Sequence, residues 1–147
     1  MTKVLLLIAL LIDLAIIFGG WILLVIAVAI VSVISDALGA LVALVGYLAL
    51  VVAQFYFGYL VGQNGASPGM RLQGLKCVAE DTGQLIGGGM GIVRTLAHIL
   101  DSIVCYLGWF LPLVDDTNQT ISDKVIKTVV LKDQAKESFS LELLKPQ

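Results

Sequence analysis

From Val4 to Ile34 the chain carries one charged residue, Asp13, and from Leu38 to Val61 it carries none. A hydrocarbon layer of about 30 Å is crossed by about 20 helical residues rising about 1.5 Å each. Each run therefore predicts a membrane-spanning helix, with spans over residues 4–34 and 38–62, the first long enough to require tilt. A break at Gly19, Gly20 and Trp21 is the alternative, but too few residues remain before Asp36 for a second crossing. The run is also about twice as long as a signal-peptide core, and no small-residue cleavage site follows a short one. Ser35, Asp36 and Ala37 form the only polar interruption between the runs, which predicts a hairpin with a very short turn. Gly39, Ala43 and Gly46, then Gly58 and Gly62 within GYLVG, recur at one-turn spacing along the second run. Small residues so placed let helix backbones approach closely in lipid. Their partner is either the first helix or another copy.

After Val61 the pattern changes. Residues 63–90 are rich in turn formers and charges and predict a connecting loop outside the hydrocarbon. Pro68 and Gly69 mark a turn, Leu72 to Ala79 reads as a strand, and EDTG reads as a hairpin tip. Residues 91–114 form a third apolar stretch, interrupted by Arg94, His98, Asp101 and Cys105. At 100° per residue these four fall within roughly a 60° sector, so the stretch predicts a helix with one polar stripe. It reads as re-entrant, interfacial or a third span. A bend near Gly108 and Pro112 is favoured, because five lysines follow and basic residues concentrate on the cytoplasmic side. VIKTVVL, residues 125–131, is of strand length and pairs with the first strand if both lie on one side. Residues 133–147 form a charged tail, disordered or a surface helix. Lys3, Arg71 and Lys76 flank the two spans while the short turn holds only Asp36, which places the N-terminus and main loop in the cytoplasm. The fold class is thus an all-α membrane protein: a hairpin of two transmembrane helices, a third polar-striped helical element, and a small cytoplasmic β-hairpin, all within residues 1–132.

Composition sharpens this picture. Of 147 residues, 59% are hydrophobic and 14% charged, and the mean hydropathy is +0.98. A soluble domain, about 25% charged, has far more polar residues to cover its surface. A net charge of −2 with nine basic residues excludes a nucleic-acid binder built on a basic field. Cys77 and Cys105 are too few for a disulfide framework and match no metal spacing. One histidine cannot build a usual zinc site. GQLIGGGMG fits neither phosphate-loop nor dinucleotide patterns and reads as a flexible joint. No nucleophile, base and orienting group cluster together, so the expectation is a non-catalytic protein without metal or cofactor.

Asp13 is the expensive residue. If the first helix enters at Lys3, the carboxyl lies near mid-bilayer, where insertion costs about 2.5 to 3.5 kcal/mol unless it is offset. It either coordinates a proton or cation on a polar route or hydrogen-bonds to fix helix packing, with Arg94 the best candidate counter-ion. Arg94, His98 and Asp101 together form either a relay, since an acid near a histidine raises its pKa, or the polar face of an amphipathic helix.

The stretches LIALLIDLAII, SPGMRLQGLKCVAEDTG, IVRTLAHILDS and ISDKVIKTVVL, in this order from Val4 to Lys132, resemble the RDD family of small bacterial membrane proteins. Residue by residue, Asp13 and Asp123 match the two aspartates of that family. Its arginine would fall at Leu6. Ser122 stands where a histidine is frequent, Lys127 replaces the usual glycine before Thr128, and Asn118 and Gln119 occupy a commonly basic stretch. The resemblance implies a multi-pass protein of the bacterial cytoplasmic membrane. Some members are linked to cation and proton exchange, and most have no assigned activity. A copy without the arginine looks adapted to packing, so the expected role is an accessory or structural subunit. Its partners would be membrane lipid and other integral membrane subunits or further copies of itself, with no nucleic acid. The alternative is an oligomeric transporter or cation/proton exchange unit using Asp13.

Overall fold

A computed structural model describes residues 2–103, 111, 114, 116, 119–132 and 144–146, without the side chains at 99, 100 and 102. Its elements are α1 (Thr2–Ser32), α2 (Asp36–Asn64), α3 (Pro68–Gln73), β1 (Leu75–Ala79), α4 (Gly88–Ile103), α5 (Ile121–Ile126) and β2 (Thr128–Lys132). The fold is mostly helical with a small two-stranded antiparallel sheet. Cys105, the expected bend at Gly108 and Pro112, and most of the tail lie outside the described residues. Residues 144–146 stand beside α2, where Tyr56 Oη donates to the Leu144 carbonyl at 2.6 Å.

α1 and α2 are both long and apolar enough to cross a membrane. Ser35, extended at φ −161°, caps α2 and its hydroxyl accepts from Leu38 N at 3.5 Å, which makes the short turn. Large side chains point away from the hairpin: Phe18 is 68% and Val33 87% exposed. That distribution suits a hydrocarbon surround, not water. The small residues face inward. A Cβ on Gly39 or Gly46 would collide with Ser32 or Leu24 of α1. At the other end of α2, a Cβ on Gly58 or Gly62 would collide with Thr95 or with the Gly87 carbonyl, so α4 lies backbone to backbone against α2.

The loop is more structured than its composition suggests. Pro68 and Gly69 do not form a turn; they open α3, with Pro68 in the first turn behind the N-cap Ser67. Proline suits this place because its missing N–H would have no helical partner there. Gly74, left-handed at φ 68°, ends α3, so the strand expected from Leu72 starts only at Leu75. EDTG does turn the chain, with Ala79 N–H donating to the Gln84 carbonyl at 2.9 Å, but β1 finds no strand partner there. It pairs antiparallel with β2 in the register Leu75↔Lys132, Cys77↔Val130 and Ala79↔Thr128. The expected β-hairpin is therefore a ladder between distant segments. Thr120 and Asp123 form a reciprocal capping box that starts α5, which takes Val125 and Ile126 out of the predicted second strand. The glycine-rich joint supplies the first turn of α4, which begins at Gly88 and not at Gly91.

These elements gather at the end of the hairpin away from its turn. Ala9 of α1 is buried with Val61, Met70, Leu75, Cys77 and Val130, and Leu5 and Leu6 pack against them. The first third of α1 thus belongs to a small layered head.

Candidate functional site

Asp13 is held by the start of α3. Gly69 N–H donates to its Oδ1 at 2.7 Å and Ser67 Oγ–H to its Oδ2 at 2.5 Å. The local sequence dictates this arrangement. Pro68 has no N–H to offer, so Gly69 N and Met70 N are the first free donors of α3; Met70 N takes Ser67 Oγ at 3.3 Å. A Cβ on Gly69 would collide with the Ala9 carbonyl and the Asp13 carboxyl, so only glycine permits the approach. Asp13 lies 22 positions before Ser35, about 33 Å along the helix at about 1.5 Å each, which is a whole hydrocarbon thickness. Its level is that of the head.

Arg94 is not the counter-ion of Asp13. Its Nε donates to Asp123 Oδ1 at 2.7 Å. Asp123 also accepts from Thr128 Oγ1 at 2.8 Å and, through Oδ2, from Thr120 Oγ1 at 3.0 Å and Thr120 N at 3.2 Å. This one carboxylate therefore ties α4, the N-cap of α5 and the start of β2. Burial opposes its charge, but Arg94 and the hydroxyl donors outweigh burial and hold Asp123 below the usual carboxylate range. Burial likewise opposes the Arg94 charge, and Asp123 overrides it, leaving the guanidinium firmly protonated.

Two turns further along α4, Asp101 is fully buried. Its Oδ1 accepts from Ile121 N at 2.9 Å and Ser122 N at 3.3 Å, and its Oδ2 accepts from Ser122 Oγ at 2.6 Å. His98 Nδ1 lies 2.7 Å from Asp101 Oδ2 and 2.7 Å from Ser122 Oγ. The expected rise of the His98 pKa is reversed. Burial, then the Arg94 charge, push it below its ordinary value and outweigh the hydrogen bond to Asp101. Burial raises Asp101, but His98 and Ser122 more than compensate and hold it low. At neutral pH this is thus a neutral imidazole donating Nδ1–H to a carboxylate.

The predicted stripe thus forms two internal knots, Arg94 with Asp123 and His98 with Asp101, and Asp13 belongs to neither. A cavity of about 410 Å³ connects them: Asp13, Arg94, His98 and Asp123 all line it, beside Leu6 and Phe57. Leu6, the position of the family arginine, stands on the same wall two turns before Asp13. Sequence reasoning missed Ser67, Gly69, Thr120 and Thr128; the Ser-Pro pair, an N-cap followed by N1, was the signal available for the first two. Cys77 is buried in β1, and burial pushes its thiol pKa up, which makes it a packed, unreactive group. Among the described residues no three His, Cys, Asp or Glu side chains group to hold a metal.

The capped start of α3 that binds Asp13 and the capping box that holds Asp123 lie within two of the four stretches that carry the resemblance, and the RDD family model matches residues 7–127. This chain belongs to the RDD family. It is 44% identical over 75 residues to the "Proline-rich antigen" of Mycobacterium leprae (strain TN), covering 51% of this chain and 30% of that protein. It is 46% identical over 85 residues to the "Proline-rich antigen homolog" of Mycobacterium tuberculosis (strain ATCC 25618 / H37Rv), covering 58% and 35%. The matched part spans about a third of the length of these curated relatives. No solved structure matches the chain. For an RDD-family protein, the αL position of Lys127, at φ 58°, explains the family glycine there: a left-handed helix C-cap favours a residue without Cβ.

Proposed function

We propose that this RDD-family chain is a non-catalytic integral membrane protein, an accessory or structural subunit that packs within a larger assembly of the bacterial cytoplasmic membrane. The observation carrying this reading is that its buried acids are tied by donors of the same chain, while the outward faces of α1 and α2 stay apolar and uncovered. A carboxylate with a fixed donor on each oxygen suits packing better than exchange. Lys3, Arg71 and Lys76 at the head end, against Asp36 at the turn, support a cytoplasmic N-terminus and main loop. The protein solubilised in mild detergent is expected to run with a foreign membrane protein at fixed stoichiometry. A pure homo-oligomer would overturn the accessory role.

One observation favours the second reading, an oligomeric transporter or proton/cation exchange unit: Asp13 lines the cavity. Under that reading, Asp13→Asn abolishes cation-dependent pH change in proteoliposomes. Unchanged activity in that variant removes Asp13 from any such role.

A further inference from the structure

The cavity has a property that neither reading uses. α1 and α4 each pack mainly on α2 rather than on each other, and the cavity that both line is walled mainly by Leu6, Leu10, Ile17, Phe57 and Val61. Along α1 the lining runs from Lys3 to Ile17, about 21 Å at about 1.5 Å per residue. One leaflet of a core of about 30 Å is about 15 Å deep, so a single acyl chain fits this length. The volume also lies in the range of small-molecule sites, about 300–1,000 Å³.

The polar lining is asymmetric in its unused hydrogen-bonding capacity. Both oxygens of Asp13 and both of Asp123 already accept from the chain itself. Arg94 spends only Nε, on Asp123; its two terminal nitrogens donate to none of the described residues, though the side chain is just 12% exposed. Lys3, also on the wall, forms no ion pair with a described residue. The formal charges of Lys3 and Arg94 balance those of Asp13 and Asp123 in the lining, but the two cations keep donors unused, and a planar guanidinium fork matches carboxylate or phosphate oxygens.

We infer that this cleft binds one anionic single-chain amphiphile, its phosphate or carboxylate head on Arg94 and Lys3 and its alkyl chain along the α1 wall. The site is independent of whether the protein serves as an accessory subunit or a transporter.

Delipidated full-length protein, checked for folding by its thermal transition, is titrated by native mass spectrometry. The probes are oleoyl lysophosphatidate, mono-oleoylglycerol, which has the same chain without the phosphate, and inorganic phosphate. The expected result is one lysophosphatidate per chain, held about tenfold or more tighter than mono-oleoylglycerol and not displaced by inorganic phosphate. Arg94→Lys keeps a cation beside Asp123 but removes the fork, and should lose most of the preference for phosphate. Leu10→Trp fills the apolar wall and should lose both lipids. Equal affinity for the two lipids, displacement by inorganic phosphate, or undiminished binding in folded Leu10→Trp would overturn the assignment.

Discussion

The two ends of the α1–α2 hairpin solve the same problem, holding helices together, by different means. Near the turn there is almost nothing polar, and contact is made by closeness: Gly39 under Ser32, Gly46 under Leu24, and Trp21 edge-on to Tyr47 at a centroid distance of 5.8 Å. At the head, close approach of α2 and α4 is combined with three carboxylates, each bonded to a different element. Packing without charge tolerates sliding along a helix face. A carboxylate shared by α4, α5 and β2 does not. The hairpin supplies reach, and the head supplies a single register.

The largest effect is expected where the two mechanisms meet. Gly62→Leu drives a side chain into the Gly87 carbonyl and should destabilise by about 3 kcal/mol or more, seen as loss of the cooperative thermal transition in detergent. Gly19→Ala, with nothing within 4 Å of the new Cβ, is the control and should be neutral or stabilising. If both variants melt alike, close approach is not what holds α4.

Asp123→Ala follows. It strands a buried guanidinium and leaves the Thr120 cap and Thr128 without their acceptor. Breaking one side of a buried pair costs about 3–5 kcal/mol. A denaturant titration should show that loss, with Asp13→Asn losing less, because an amide still offers one oxygen to Gly69 N–H.

The head should also respond to pH where the hairpin does not. His98 is held below its free value of about 6.5, so the unfolded chain binds that proton more readily and its contribution is complete only above about 6.5. Acidification removes it as the pH falls toward the folded value. Asp101 and Asp123 are held below the usual value, so their contributions persist until lower pH and are lost as it passes through their folded values. Melting followed from about pH 8 to pH 3 should thus decline in two stages, the upper one absent in His98→Gln. A transition that does not move above about pH 4 would show that His98 is not kept neutral by the fold.

The smallest effect is a gain. Lys127→Gly relieves a side chain held at φ 58° and should raise stability by about 1 kcal/mol. No change would mean that the lysine side chain contributes as much as its backbone costs.

The hairpin was legible because everything that makes it is local: an uninterrupted apolar run, a Ser-Asp turn, small residues one turn apart. The helical period also put Arg94, His98 and Asp101 on one face. Their partners were not legible, since Asp123 lies 29 positions from Arg94 and Ser122 lies 24 from His98, and no periodicity links α4 to α5. Asp13 was singled out by its cost in lipid, but its donors Ser67 and Gly69 lie 54 and 56 positions away, beyond any local pattern. Val125 and Ile126 were read as strand from their branched side chains, whereas the Thr120–Asp123 capping box decided for helix.

The β1–β2 ladder has a topological consequence. Two strands joined by backbone hydrogen bonds from Leu75↔Lys132 to Ala79↔Thr128 occupy one compartment, since a bilayer cannot pass between them. The chain that leaves at Ala79 must re-enter that compartment by Thr128, so any traversals it makes come in pairs. If the hairpin spans a bilayer, a single crossing between β1 and β2 is incompatible with this ladder.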